Sequence, residues 1–206
     1  MGHASGDRLD RSVDVRGVKF LLNSHAHYDH AGGLAELKRR TGGAMVASAG
    51  DSPALTAGSR DMPAVRIDRQ IRDGETVAVG DATMTAHVTP GHTKGCTTWT
   101  TTAREAAREY RVLFHCSTSV VDTLAGNTSY PAIVDDYRRT FAKLRGMDAD
   151  VFLGAHPSFF DMDHKRAKMR PGAPNPFIDP AELRRFNTQS ERQFHGALEK
   201  QRSAGR

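Results

Sequence analysis

The chain has 206 residues and a formal net charge of +5, with 29 Lys and Arg against 24 Asp and Glu. This length suits one folded domain, and no apolar run approaches the roughly 20 residues of a membrane-spanning helix, so we expect no membrane partner. Residues 1–8 lack an apolar core and the Lys and Arg residues are scattered, so we expect no signal peptide there and no nucleic-acid partner.

Short apolar and β-branched segments bounded by Gly and Asp are typical of strands. They occur, in chain order, at residues 18–22, 44–47, 76–79, 84–88, 97–102, 111–115 and 151–154. Residues 50–62 are rich in Gly, Asp, Ser and Pro, and they predict a loop with room for one helical turn.

Three helices are predicted among these strands. The first follows residue 30 and ends at Gly42. The second begins at residue 133, and the third begins after Asp179, which can cap it in a capping box with Glu182. Their apolar stripes are, in order, Ala31, Leu34 and Leu37; Ile133, Val134, Tyr137, Phe141 and Leu144; and Leu183, Phe186, Phe194 and Leu198. Strands mixed with helices indicate an α/β chain.

Four groups that can ligate a metal crowd into the segment after the first predicted strand. His25 and His27 are two residues apart, which at a strand end places both side chains on one face, and Asp29 continues that face. His30 opens the following helix and approaches from another angle. Imidazole and carboxylate are good zinc ligands, although a lone His is more often packed or exposed. The cluster therefore predicts a metal site.

Two further His residues follow strands in the same way, His92 after residues 84–88 and His156 after residues 151–154. Ligands at the ends of several strands gather at one rim of a sheet. Six ligands are too many for one tetrahedral zinc, whereas two metals with three ligands each leave positions open for water and substrate. The remaining His residues are expected to pack or to face solvent: His3, His87, His115, His164 and His195.

Three motif segments resemble the metallo-β-lactamase superfamily: residues 25–30 (HAHYDH), 89–93 (TPGHT) and 154–156 (GAH). Five others resemble, more narrowly, the third subclass of class B metallo-β-lactamases: residues 91–99, 116–119, 126–131, 135–139 and 175–180. The resemblance implies an α/β fold, the αβ/βα sandwich with two mixed sheets between helix layers. We therefore expect one such domain over residues 17–206, after a loose N-terminal segment over residues 1–16.

The resemblance also implies two zinc ions per chain. Residue by residue, the ligands of the first zinc are His25, His27 and His92, and those of the second are Asp29, His30 and His156. Other branches carry a Cys or a bridging Asp where Ser117 stands, so His30 is left to supply the third ligand of the second zinc. Ser117 and Ser119 correspond to residues that hold the substrate carboxylate. The alternative for each Ser is a turn hydroxyl bonded to the backbone.

The implied activity is hydrolysis of the β-lactam amide bond, and hence antibiotic resistance, with a small-molecule β-lactam as the partner. A metal-bound hydroxide would attack the lactam carbonyl, and Asp29 would orient it, which makes Asp29 the catalytic residue. Two alternatives stay open. One is another hydrolase of this fold that acts on a lactone, thioester or phosphodiester, and the other is a zinc-binding truncated form without catalysis.

Cys96 and Cys116 lie on neighbouring predicted strands. A few relatives have a disulfide that links these two places, so the resemblance implies a bridge here. A bridge implies an oxidising compartment, which by resemblance is the periplasm or the exterior. The alternatives are two free thiols, or Cys116 as a ligand of the second zinc.

The segment before the first motif departs from the family pattern. Relatives carry several strands there, including an Asp-Thr-Gly-like turn, whereas 24 residues precede His25 in this sequence. We therefore expect an N-terminally incomplete domain. Missing strands would expose an apolar sheet edge, which favours a homodimer or a domain swap.

Overall fold

The computed structural model describes residues 17–204, which form two β-sheets with helices outside them. The predicted loose segment at residues 1–16 lies outside the described residues. The first sheet has three parallel strands, in the order β1 (Phe20–Leu22), β2 (Ala44–Ser48) and β3 (Arg69–Ile71). The central strand β2 is buried on both faces, which explains its unbroken apolar run in place of an alternating pattern.

The second sheet has five strands, in chain order across the sheet. They are β4 (Thr76–Val79), β5 (Ala82–Val88), β6 (Thr97–Glu105), β7 (Arg108–His115) and β8 (Val151–Gly154). Strands β4 to β7 pair antiparallel, and β8 pairs parallel with β7. Two reversals of direction leave β5 pointing the same way as β7 and β8. The carboxyl ends of these three strands therefore meet at one edge of the sheet.

Six α-helices and one 3₁₀ turn (Pro157–Phe159) are found among residues 17–204. The helices are α1 (Tyr28–Ala31), α2 (Leu34–Thr41), α3 (Ser52–Ala57), α4 (Ile133–Arg145), α5 (Met162–Lys168) and α6 (Glu182–Ala204). Gly42 ends α2 in the left-handed conformation, with φ of 68°, as the sequence predicts. Within the same residues, no helix combines the length and the apolar character needed to cross a membrane.

The two sheets pack face to face around an apolar core. Its buried members are Val46, Ile71, Val77, Ala86 and Trp99. Helices α2 and α3 cover the outer face of the first sheet at Met45. Helices α4 and α6 cover the second sheet at Leu113 and Phe152. The predicted αβ/βα sandwich is confirmed.

Some local features differ from the sequence predictions. The short strand β3 and the helix α5 were not expected, and the helical turn allowed within residues 50–62 is the six-residue helix α3. The predicted capping box of α6 forms only in part. Asp179 Oδ1 accepts a hydrogen bond from Ala181 N at 3.0 Å, but the Glu182 carboxylate pairs with Lys165 instead. A buried cation in need of a partner outweighs the local bond.

The disulfide between Cys96 and Cys116 is present, and its Cα atoms are 5.9 Å apart. Both residues are fully buried, and the bridge joins the residue that precedes β6 to the residue that follows β7. Cys116 is therefore neither a free thiol nor a zinc ligand in this structure, and the prediction of a bridge is confirmed.

Replacement of both cysteines, Cys96→Ala with Cys116→Ala, is expected to lower the free energy of unfolding by about 3 kcal/mol. The reason is that the bridge closes a loop of 20 residues and so restricts the unfolded chain. Urea unfolding monitored by circular dichroism measures the change. A thiol reductant should lower the midpoint of the native chain and leave the double variant unchanged. An equal midpoint for the native chain with and without reductant would contradict the prediction.

Candidate metal centre

Loops that leave the sheet edges bring three imidazoles together. His25 and His27 follow β1, and His92 lies in the loop between β5 and β6. The His25 ring centroid is 4.9 Å from that of His27 and 4.7 Å from that of His92, and the His27 and His92 centroids are 4.6 Å apart. One nitrogen from each ring lies within 4.8 Å of the others, so this first triad could hold a metal ion.

His25 carries the clearest sign that the first triad fits a cation. The residue is fully buried, and its Nε2 has no hydrogen-bond partner, whereas Nδ1 lies 3.2 Å from Ser24 Oγ. Burial is the main cause that lowers the pKa of His25 to about 2. The nearby imidazoles lower it further, and His30 has the largest effect among them. The ring is therefore neutral at physiological pH. A neutral nitrogen without a partner among other imidazoles is a donor that a metal ion would satisfy.

A second triad lies directly beside the first and consists of Asp29, His30 and His156. Asp29 Oδ2 is 3.2 Å from His30 Nε2 and 3.7 Å from His156 Nε2, and these two nitrogens are 3.1 Å apart. The His30 ring centroid is 4.1 Å from that of His25, so the triads adjoin. Burial lowers the pKa of His30, although the Asp29 carboxylate acts in the opposite direction. One carboxylate and two imidazoles form a second set of donors that could hold a metal ion.

Helix α4 holds His92 through a shared carbonyl. His92 Nδ1 donates to the Ser119 carbonyl oxygen at 2.8 Å, and the Tyr137 hydroxyl donates to the same oxygen at 2.7 Å. Burial lowers the pKa of His92 to about 4, against the effect of its bond to Ser119. The Nδ1 bond fixes the tautomer, which leaves Nε2 without a proton and free to ligate.

The loop before His92 depends on a glycine. Gly91 has φ of 132°, and a Cβ atom there would lie 2.8 Å from Cγ of the Tyr137 ring. Thr140 Oγ1 donates to the Pro90 carbonyl at 2.7 Å. The loop therefore presses its backbone against one face of α4, and only Gly allows so close an approach.

A family model described as the metallo-beta-lactamase superfamily matches residues 2–156. The chain belongs to the metallo-β-lactamase superfamily. Its sandwich of two sheets and its strand-end donors fit that family, and the resemblance stated from the motif segments is confirmed. The chain is thus a member of a superfamily of metallo-hydrolases.

Solved structures of metallo-β-lactamases are similar to nearly the whole chain. The subclass B3 metallo-β-lactamase of Bradyrhizobium japonicum matches with a TM-score of 0.93 and 43% identity, over 98% of this chain and 80% of that chain. The metallo-β-lactamase of Legionella gormanii matches with a TM-score of 0.90 and 31% identity, over 96% of this chain and 80% of that chain. The likeness to the third subclass is therefore confirmed.

Curated proteins that carry other names are similar to part of the chain. The hydroxyacylglutathione hydrolase of Rhodospirillum rubrum is 40% identical over 78 residues, which are 38% of this chain and 27% of that protein. A probable metallo-hydrolase of Burkholderia pseudomallei is 35% identical over 122 residues, which are 52% of this chain and 40% of that protein. The chain thus spans less than half the length of these curated relatives.

The two serines that the sequence singled out, Ser117 and Ser119, differ in their surroundings. Ser117 is buried, and its Oγ accepts a hydrogen bond from Ser119 N at 3.2 Å. This is the turn geometry that the sequence left open as the alternative for Ser117. Ser119 is exposed, and its carbonyl holds His92.

The His residues expected outside the metal site lie outside both triads. His87 Nε2 is 2.8 Å from Thr100 Oγ1, and His195 lies on α6. His164 lies on the helix α5, in place of the polar loop expected, and its Nδ1 is 2.7 Å from Asp161 Oδ2. His3 lies outside the described residues. None of these contacts involves a member of either triad.

His115 is buried against several aromatic rings. Its ring centroid is 5.1 Å from that of Phe186 and 5.9 Å from that of Phe152, and its Nδ1 has no hydrogen-bond partner. Burial, with a smaller effect of His92, lowers the pKa of His115 to about 3. The unfolded chain binds a proton there below about pH 6.5 and the folded chain does not, so acid destabilises the fold.

The variant His115→Phe is expected to reduce the acid sensitivity of the fold. Between pH 6.5 and pH 5, the titration of His115 costs the native chain about 2 kcal/mol of unfolding free energy, and the loss continues down to about pH 3. Urea unfolding at several pH values measures the slope in both proteins, prepared in the same metal state. Parallel slopes in the native chain and the variant would contradict the prediction, whatever their difference in stability at pH 7.

Sequence reasoning missed the residues that support the ligands. Tyr137 was assigned only to the apolar stripe of a helix, yet its hydroxyl fixes the carbonyl that holds His92. The one sequence signal for this role is a hydroxyl-bearing ring in an otherwise apolar stripe. A buried Tyr usually needs a hydrogen-bond partner, but the sequence does not reveal which one.

Proposed function

We propose that the chain is a zinc-dependent β-lactamase that hydrolyses the β-lactam amide bond and confers antibiotic resistance. The observation that carries this proposal is the likeness to a subclass B3 enzyme over 98% of the chain, at 43% identity. The donors of both triads support it, because His30 and His156 complete a second set beside Asp29. The partner in this proposal is a small-molecule β-lactam.

The donor chemistry supports two zinc ions per chain. Imidazole and carboxylate suit zinc, and three protein ligands for each ion are typical of catalytic sites. In this proposal His25, His27 and His92 hold the first zinc, and Asp29, His30 and His156 hold the second. Zinc supplies two kinds of chemistry when it is bound: it lowers the pKa of water to about 7, and it polarises a carbonyl.

The residues of the chain orient the reactants. Asp29 is proposed as the catalytic residue, since its carboxylate lies partly exposed beside His30 and His156 in the second triad and can accept a hydrogen bond from the attacking water. The exposed hydroxyl of Ser119 is proposed to donate to the substrate carboxylate. Ser117 is buried and its Oγ accepts from Ser119 N, so its proposed part in substrate binding is to hold the turn that carries Ser119. No serine is acylated in this scheme.

We propose a periplasmic or secreted location. The buried Cys96–Cys116 disulfide supports it, because such bridges form and persist in oxidising compartments.

A second candidate function is thioester hydrolysis. It is favoured by the match to hydroxyacylglutathione hydrolases, at 40% identity over 78 residues. That match covers 38% of the chain, whereas the subclass B3 enzyme of Bradyrhizobium japonicum matches 98% of it. Position 117 also carries a hydroxyl where a bridging carboxylate is expected in many other hydrolases of this fold. We therefore rank β-lactam hydrolysis first.

Parallel assays of one purified preparation separate the two functions. The zinc-loaded chain is given a chromogenic cephalosporin, a hydroxyacylglutathione thioester and a lactone, and kcat/KM is measured for each. The proposal predicts the highest value for the cephalosporin. Turnover of the thioester or the lactone with none of the cephalosporin would overturn it. The Asp29→Asn variant, assayed beside the native chain, shows whether any turnover comes from this site or from a contaminant.

A further inference from the structure

A buried carboxylate joins two loops of the metal centre. Asp51 is 3% exposed and directly precedes α3. Its Oδ2 accepts hydrogen bonds from Ala26 N at 2.9 Å and from Thr93 Oγ1 at 2.8 Å. Its Oδ1 accepts a hydrogen bond from Gly95 N at 2.8 Å. One side chain thus bonds to segments that lie far apart in sequence.

These two segments carry the whole first triad. Ala26 lies between His25 and His27, and Thr93 directly follows His92. The Asp51 carboxylate therefore links the segment of His25 and His27 to the segment of His92. It accepts one hydrogen bond from Ala26 in the first and one from Thr93 in the second. A shift of either segment would move at least one ligand nitrogen.

Asp51 does not serve its own helix. An Asp at the N-cap position normally accepts a hydrogen bond from the backbone of the first helical turn. No such side-chain bond is formed at the start of α3. Burial raises the pKa of Asp51, and the bonds from Thr93, Gly95 and Ala26 counter that effect. The carboxylate is thus kept in an unfavourable environment, with its bonds directed to the metal centre.

The two loops that meet at Asp51 are packed closely, and glycines allow the contact. A Cβ atom on Gly95 would collide with Ser48 Oγ and with the backbone nitrogen of Asp51, and one on Gly50 would lie 2.5 Å from the Lys94 carbonyl oxygen. Ser48 Oγ donates to the Gly95 carbonyl at 2.5 Å. The turn after His92 is therefore pressed against the turn before α3.

We propose that Asp51 is a positioning residue that sets the spacing of the first triad and thereby its affinity for zinc. Groups that do not touch the metal but orient its ligands through hydrogen bonds contribute strongly to metal affinity. This inference rests on the proposed metal site. It adds that a residue outside the ligand set determines how tightly the first zinc is held.

The test compares zinc affinity in the native chain and in Asp51→Asn. An Asn side chain has an NH₂ group where Asp51 has its second oxygen. This group must face at least one of the three donors, Ala26 N, Thr93 Oγ1 or Gly95 N, so at least one hydrogen bond is lost. Competition with a chromophoric chelator is expected to show about 10- to 100-fold weaker binding of the first zinc. The visible absorption of the cobalt(II)-substituted protein should also change, which a loss of general stability would not cause. Excess zinc should restore most of the activity.

The matched control is Asp68→Asn. Asp68 also accepts a backbone hydrogen bond, from Met45 N at 2.7 Å, but it pairs with Lys38 away from both triads. The Asp68→Asn variant should have a lower free energy of unfolding and an unchanged zinc affinity. If Asp51→Asn fails to fold, Thr93→Val removes a single bond to Asp51 and should weaken zinc binding in the same direction.

The role of Asp51 alone would be overturned if Asp51→Asn keeps native zinc affinity and an unchanged cobalt spectrum. If Asp51→Asn does not fold, the same result in Thr93→Val would overturn it. Absence of tight zinc binding by the native chain would overturn the proposed metal site, and the role of Asp51 with it.

Discussion

Replacement of Asp29 by Asn is expected to lower kcat for β-lactam hydrolysis by about 10²- to 10⁴-fold, the range for loss of a group that handles the proton of the attacking water. Asp29 is the one carboxylate in either triad, and its Oδ2 lies within 4 Å of both His30 Nε2 and His156 Nε2. An amide keeps the shape but removes the negative charge. Steady-state kinetics with the zinc-saturated variant measures the loss.

The control for this prediction is Asp135→Asn. Asp135 is an exposed carboxylate on α4 that pairs with Arg138 at 3.1 Å. The Asp135→Asn variant changes the net charge by the same amount as Asp29→Asn and should leave kcat unchanged. A zinc-saturated Asp29→Asn protein with native kcat would refute the proposed role of Asp29.

Replacement of His156 by Ala is expected to lower kcat/KM by at least about 100-fold. Loss of a group that only hydrogen-bonds to a metal ligand already costs about 10- to 100-fold in metal affinity or activity, and loss of a ligand itself costs more. The His156 side chain is 40% exposed, so its removal leaves no buried cavity. The variant should keep its fold and lose zinc from the second triad only. Metal analysis and kinetics together measure the effect.

His164→Ala is the matched control for His156→Ala. His164 lies on the next helix, is also exposed, and bonds to Asp161 rather than to a triad member. It should retain two zinc ions per chain and native kinetics. Two tightly held zinc ions in His156→Ala would show that His156 is not a ligand.

Much of the fold could be predicted because periodicity and Gly boundaries are local signals. The strands at residues 76–79 and 151–154 and the helix from Ile133 occur where the sequence predicts them. The strand β3 was missed because Arg69-Gln70-Ile71 has no apolar run. It forms because Gln70 pairs with Ala47 and Ile71 with Ser48, partners far away in sequence.

The ligand candidates were accessible from sequence because they cluster in a motif or directly follow strands. The groups that hold them in place were not. Asp51 stands in a Gly, Asp, Ser and Pro-rich stretch, where an Asp usually indicates a turn or a cap. Its partners Ala26 and Gly95 donate backbone N–H groups, which carry no sequence signal. Contacts of this kind become visible only when the folded chain brings distant loops together.

We propose that this chain hydrolyses β-lactams with zinc held by the two triads. The most direct measurement is turnover of a carbapenem by the purified chain, before chelation, after chelation and after the return of zinc. We predict turnover that the chelator abolishes and that zinc restores. A chain that holds two zinc ions and turns over neither a carbapenem nor any other β-lactam would contradict the claim.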